Sequence, residues 1–190
     1  MQGVAADVKQ TMEGARTAML GFAENMEALK HNFLVRGFFK DRGFFNLEEI
    51  SPEAYRNGAL TKSGALRTVR VWLSSPVLFE PDPEHHESQR LTADGKGRLD
   101  SAMGGFIDRL PGGVLMVEGY AQEGTRDALY VRSRASASSV RDYLIDRFHL
   151  NPQATGVMPL GKESAGSPDG TPWSGVALAV FEQKPSGKRK

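Results

Sequence analysis

The sequence predicts an α+β domain, a mixed sheet with helices on one face, preceded by a long amphipathic helix. Three observations carry this. From about Arg67 to Phe181 the chain alternates in the order β, α, β, α, β, β. Two runs, "VLMVEG" and "GVALAVF", are continuously apolar, as strands covered on both faces are. Between about Val4 and Lys40, apolar residues recur every 3.5 positions or so without a proline.

The 190 residues suit one domain of ordinary size plus an extension, and 39% hydrophobic with 25% charged residues is a globular balance. A net charge of +1 excludes a global electrostatic pull toward nucleic acid. Cysteine is absent, which excludes disulfides, thiol catalysis and thiolate metal sites. No apolar run reaches the ~18 residues of a membrane span. "MQGVAADVKQ" lacks the basic flank and apolar core of a secretion signal, so the chain is either cytosolic or a segment of a longer exported or anchored protein.

Residues 1–40 form a helical arm. Its seam includes Val8, Met12, Met19, Phe22, Met26, Leu29 and Phe33. A lone helix cannot bury such a stripe on itself. The stripe packs on its own domain, associates with other copies, or lines an apolar channel. Residues 41–66 form a connector. Within it "SPEAYRNG" is a short helix, with Ser51 as N-cap, Pro52 in the first turn and Asn57-Gly58 as the stop. "ALTKSGAL" continues as a polar link.

Residues 67–183 form the α+β domain. "TVRVWL" alternates as a strand, "PVLFEPD" is apolar and turns at its prolines, and "EPDPEHHESQR" is a loop. Leu99, Met103, Phe106, Ile107 and Leu110 mark one face of a helix that "PGG" stops. After "VLMVEG" a long helix turns Val131, Val140, Leu144 and Phe148 inward. "NPQATGVMPLG" supplies a short strand and "GVALAVF" the last. Two strand–helix–strand crossovers imply parallel pairs, and the short final link implies an antiparallel one. Residues 184–190 are a basic tail, read as a solvated end.

Chemistry-bearing motifs are sparse. "EHHE" at Glu84–Glu87 sets two adjacent histidines in a loop, where they diverge, rather than one helical turn apart as zinc prefers. Ser133, Ser136, Ser138 and Ser139 crowd what reads as a helix start, where serine caps. "GKES" lacks the glycine frame of a phosphate loop, and there is no G-x-S-x-G. No enzyme, cofactor or metal is expected. His31 and His149 read as surface or capping residues.

In order, "PVLFEPD", "LTADGKGRL", "VEGYAQEG", "VRDYL" and "GVMPLG" resemble the OmpA-like domain family over about Val69 to Phe181. The resemblance implies a βαβαββ fold and a peptidoglycan-binding role in Gram-negative envelopes. In that family an aspartate after the second strand takes the ammonium of diaminopimelate, and an arginine on the next helix forks onto its carboxylate. The aspartate position falls on Gln122. Counting back from "VRDYL", the arginine position falls on Ser136, with Arg134 two residues earlier and so about 200° around a helix. A further family arginine, before the last strand, meets "WSGV" from Trp173 to Val176. Each lost charge-assisted hydrogen bond is worth roughly 1.5–3 kcal/mol. That argues against ordinary diaminopimelate binding, while Gln122, Arg126 and Arg134 could hold a weaker polar ligand.

"MEALKHNFLVRGFFKDRGFF" resembles the segment that follows the MCE domain in MlaD-type lipid-transport proteins, and "WSGVALAVF" is similar to the close of some of their tails. This second resemblance implies a homo-oligomer, a hexamer in that family, with phospholipid as cargo. It implies a periplasmic place, and an inner-membrane anchor in an N-terminal part absent from this chain. The expected function is thus the non-enzymatic C-terminal region of an envelope lipid-transport protein, its OmpA-like domain docking to envelope proteins or serving assembly. The alternative is a peptidoglycan-binding anchor with a variant clamp.

Overall fold

The computed structural model describes residues 47, 50–62, 64–83, 89–162, 169–171 and 173–183. The arm with its seam from Val8 to Phe33, His31, the "EHHE" loop and the basic tail lie outside the described residues.

Among the described residues two short helices come first, α1 (Pro52–Arg56) and α2 (Ala59–Lys62). Ser51 caps α1 by accepting from the Ala54 amide at 3.0 Å, Pro52 opens it, and Asn57 closes it before Gly58, which sits at φ 77°. Then follow β1 (Ala65–Ser74), α3 (Ser75–Leu78), β2 (Phe79–Pro81), β3 (Gln89–Leu91) and α4 (Ala93–Gly104). The rest is β4 (Val114–Tyr120), α5 (Arg126–Phe148), β5 (Thr155–Gly161) and β6 (Gly175–Gln183). Single 3-10 turns precede β4 and β5.

The fold is α+β with a mixed four-stranded sheet in the order β1-β6-β4-β5. β4 and β5 pair in parallel, as a strand–helix–strand crossover demands. The last link does not make a hairpin with β5. Instead β6 runs antiparallel between β1 and β4, so those two strands are parallel in direction but not neighbours. The reason is burial. Val176 through Val180 are all 0% exposed, and a strand apolar on both faces belongs at the centre of a sheet. β2 and β3 form a separate two-stranded ribbon where the sequence reads as a proline turn and a loop.

The long helices α4 and α5 share one face of the sheet. There Leu99 and Met103 of α4 and Ala137, Val140 and Leu144 of α5 meet Leu115, Val117, Val176, Leu178 and Val180. The opposite face is covered too. Leu47, Ile50, Tyr55 and Leu60 pack over Met116, Met158, Ala177 and Phe181. The connector is therefore part of the core: Leu60 is 2% exposed, and Ala65 already belongs to β1. Full burial of side chains this size stabilises by about 1.5–3 kcal/mol each.

Helix limits differ from the sequence reading in two places. α4 ends at Gly104 with Gly105 as its cap, and Phe106 reaches the core from the turn that follows. α5 begins at Arg126 behind Thr125, which accepts from the Ala128 amide at 3.4 Å. The serines at 133 to 139 therefore lie inside the helix, not at its start. The buried stripe is Ser133, Ala137, Val140 and Leu144, while Val131 is 43% exposed rather than inward. Small residues face the sheet because Gly119 lies against the helix backbone, and a Cβ on Gly119 would overlap the Ser133 carbonyl. His149 ends α5 in the left-handed conformation at φ 52°.

Candidate binding site

Parallel neighbours end on the same side of a sheet, and the crossover helix begins there. This leaves the carboxyl ends of β4 and β5 beside the first turn of α5. The Ala121 amide donates to the Gly161 carbonyl at 2.9 Å, which ties the two strand ends together. The Gln122 amide donates to Ser174 Oγ at 3.1 Å, which brings the segment before β6 to the same point. Arg132, near the end of the second turn of α5, donates from Nη1 to the Glu123 carbonyl at 3.1 Å. Trp173 stacks on Tyr120 with ring centroids 5.5 Å apart, and Gly175 leaves room for the indole. The Trp173 Nε1 hydrogen is buried and has no partner among the described residues.

Tyr120 also reaches into a buried polar cluster on the connector side of the sheet. At its centre is Glu118, 0% exposed on β4. Its Oε1 accepts from the Tyr55 hydroxyl at 2.5 Å. Its Oε2 accepts from Arg70 Nε at 2.9 Å, from Arg70 Nη2, and from the Tyr120 hydroxyl at 2.8 Å. Arg70 Nη2 also donates to the Tyr120 oxygen, and the guanidinium carbon lies 5.2 Å from the Trp72 ring centroid. Both carboxylate oxygens are thus met by donors, as a buried charge requires. Burial first, then the Glu118 charge, pushes both Tyr55 and Tyr120 above their ordinary range. Burial alone would lower the Arg70 guanidinium; the Glu118 carboxylate, with Tyr120 and Tyr55, outweighs it and holds it above its usual value.

The four candidate ligand residues do not form one cluster. Gln122 is half-buried at the end of β4 and meets Ser174, so two of the three places named by the OmpA-like resemblance do converge. Arg126 is exposed at the first residue of α5. Ser136 follows ten residues later, about 15 Å along the axis. Arg134 is exposed, and Arg132 reaches the β4–α5 loop with its guanidinium. Arg132 was not a candidate from sequence. The signal that finds it is Thr125, whose N-cap role starts the helix early and sets which face each arginine takes. Glu118 and Tyr55 were also missed, since a glutamate near the end of an apolar run reads as a strand tip.

The described site offers hydrogen-bond donors and acceptors with exposed charges of both signs: Glu123 and Asp127 beside Arg126 and Arg132. Among the described residues no group of three histidines or carboxylates is placed to hold a metal. No described helix is long and apolar enough to cross a membrane.

No protein-family model matches the chain, and no curated protein matches it. Solved structures do. A putative MotB-like protein from Desulfovibrio vulgaris is 16% identical, covering 88% of this chain and 96% of that one, with a TM-score of 0.46. The periplasmic domain of MotB from Helicobacter pylori is 16% identical over 60% of this chain and 82% of that one, with a TM-score of 0.42. The OmpA-like domain of FopA1 from Francisella tularensis is 18% identical over 62% of this chain and 82% of that one, with a TM-score of 0.40.

Proposed function

We propose that the described part of this chain is a non-enzymatic OmpA-like module of the periplasm that anchors to peptidoglycan through the carboxyl ends of β4 and β5. Its clamp would be one of neutral hydrogen bonds and a single arginine rather than two opposed charges. The observation that carries this reading is the convergence of Gln122 and Ser174, joined at 3.1 Å, with Arg132 reaching the same loop. Those are the β4 end and the pre-β6 segment that the family resemblance names for ligand contact. Gln122 offers a carbonyl to an ammonium and an amide to a carboxylate; Arg132 is the cation able to fork onto a carboxylate. Such a clamp is weaker than an aspartate–arginine pair by roughly 1.5–3 kcal/mol per lost charged bond, or about tenfold or more in affinity.

The lipid-transport resemblance rests largely on positions 8–45, outside the described residues, and no comparison supports it, nor the hexamer, the phospholipid cargo or the inner-membrane anchor that go with it.

The test is co-sedimentation of the natural chain with purified diaminopimelate-type sacculi, beside a Gln122→Asp variant that sets an aspartate on the loop Arg132 reaches. The natural chain is expected to pellet in proportion to sacculus concentration, and the variant to pellet more completely. If the natural chain stays in solution at every concentration while the variant pellets, the site is an emptied one and the anchoring reading fails.

A further inference from the structure

A second concave surface lies well away from the strand ends. The β2–β3 ribbon stands over α4 and α5 and leaves an open groove of about 490 Å³ between them. That volume lies in the range of small-ligand sites, roughly 300–1,000 Å³. Leu91 lines it beside Gln89 and Arg90 of β3, Lys96 of α4, and Ser139 and Tyr143 of α5. Ser139 and Tyr143 are one helical turn apart and so share a face. The Tyr143 ring is held in place, since its hydroxyl donates to Asp100 Oδ1 at 2.7 Å and Arg147 Nε donates to Asp100 Oδ2 at 3.3 Å. The Lys96 ammonium rests over that ring, 5.7 Å from its centroid.

Among the described residues the groove is rich in donors, and the one carboxylate among those that line it, Glu80, is already engaged by Arg90 Nε at 2.7 Å. Lys96 meets an aromatic face instead of a carboxylate, which leaves its three ammonium hydrogens available to an incoming anion. The Ser139 hydroxyl, the Gln89 amide and the remaining Arg90 N–H groups point to the same kind of ligand. The chemistry that fits is a carboxylate on a polar, partly extended chain.

We propose that this groove is a second contact for a carboxylate-bearing stretch of the same wall polymer. The inference rests on the anchoring reading above. Ser139 lies seven residues beyond Arg132 on one helix, about 10 Å along its axis. A single diaminopimelate does not reach both places at once, but a repeating polymer does. Two weak contacts on one polymer combine through effective concentration, which raises overall binding 10²–10⁴-fold or so without any strong single contact. This explains how a chain lacking a full charge clamp still anchors.

The test uses the full chain with two probes, diaminopimelate-type sacculi and free diaminopimelate. Lys96→Glu should weaken sacculus binding at least tenfold and leave affinity for free diaminopimelate unchanged. Ser139→Asp, which places a like charge against the same ligand, should act in the same direction. Unchanged thermal melting of both variants shows that the fold is kept. If the natural chain pellets with sacculi and both folded variants pellet equally well, the groove is not a contact and this proposal alone fails. If the natural chain does not pellet at all, the anchoring reading fails and takes the groove with it.

Discussion

The Tyr55 hydroxyl donates to the buried carboxylate of Glu118, joining the connector to the central strand β4 across 63 residues of sequence. A connector of two short helices has little stability of its own. Apolar contacts from Leu47, Ile50 and Leu60 and this hydrogen bond to a charge help to hold it. Replacing Tyr55 with phenylalanine keeps the ring, which meets Phe181 edge-on at 6.0 Å, and removes only the donor. The expected loss is about 1.5–3 kcal/mol, read from the midpoint of urea unfolding. A loss below a few tenths would show that Glu118 does not need Tyr55.

Arg70 and Glu118 form an ion pair whose side chains are 12% and 0% exposed. Removing either partner leaves a buried charge without its counterpart, so Glu118→Leu and Arg70→Met should each cost about 3–5 kcal/mol. The double variant should cost clearly less than the sum, because a buried pair replaced by apolar groups of similar volume comes close to neutral. Additive losses in this cycle would mean that the two side chains contribute through packing and not through each other.

Tyr55 and Tyr120 both hold their protons more tightly in the folded state, through burial first and the Glu118 charge second. The unfolded chain releases phenolic protons near pH 10. Above that pH the folded state binds more protons than the unfolded one, so stability falls as pH rises, by up to about 1.4 kcal/mol per unit for each tyrosine. Below about pH 10 this contribution is complete and flat. Unfolding free energies measured from pH 8 to 11.5 should therefore show a steep alkaline decline, and Tyr55→Phe should make it shallower by one proton. Parallel declines in both proteins would contradict this.

Gly119 is where α5 and β4 touch through backbone. A methyl group there meets the Ser133 carbonyl and then the Ala137 side chain. Gly119→Ala should cost about 3 kcal/mol through this overlap, with the helix forced outward. Calorimetric Tm is the direct readout, and an unchanged Tm would mean that the helix yields freely.

The parts of this fold that were legible in the sequence are those encoded locally. Ser51, Pro52 and Asn57-Gly58 mark α1 because caps act within one turn. β4 and β6 show as apolar runs because both faces are covered. Strand order was not legible, since nothing near Gly175 says that β6 will insert between β1 and β4. The start of α5 was hidden for a physical reason. The face that packs on Gly119 is Ser133 and Ala137, chosen for smallness, and smallness leaves no apolar stripe to read. Glu118 and Tyr55 were hidden because their meaning lies in a contact between distant segments. For the candidate site, Gln122 and the segment at Trp173–Ser174 are legible through family resemblance, while the helix register that separates Arg132 from Arg134 is set by where Thr125 starts the helix.

That register leads to a prediction about which arginine meets the ligand. Ser133 faces the sheet, so Arg132 and Arg134 leave the helix about 100° to either side of it. Arg132 turns toward the loop, where it meets the Glu123 carbonyl; a carboxylate ligand there would replace or share that bond. Arg134 lies about 200° away around the helix. Arg132→Ala should lower sacculus binding about tenfold, corresponding to one charge-assisted hydrogen bond, with little change in Tm because the side chain is exposed. Arg134→Ala should leave binding within about twofold of the natural chain. Equilibrium co-sedimentation of the two variants side by side decides the matter, and the reverse order of effects would place the ligand on the other flank of α5.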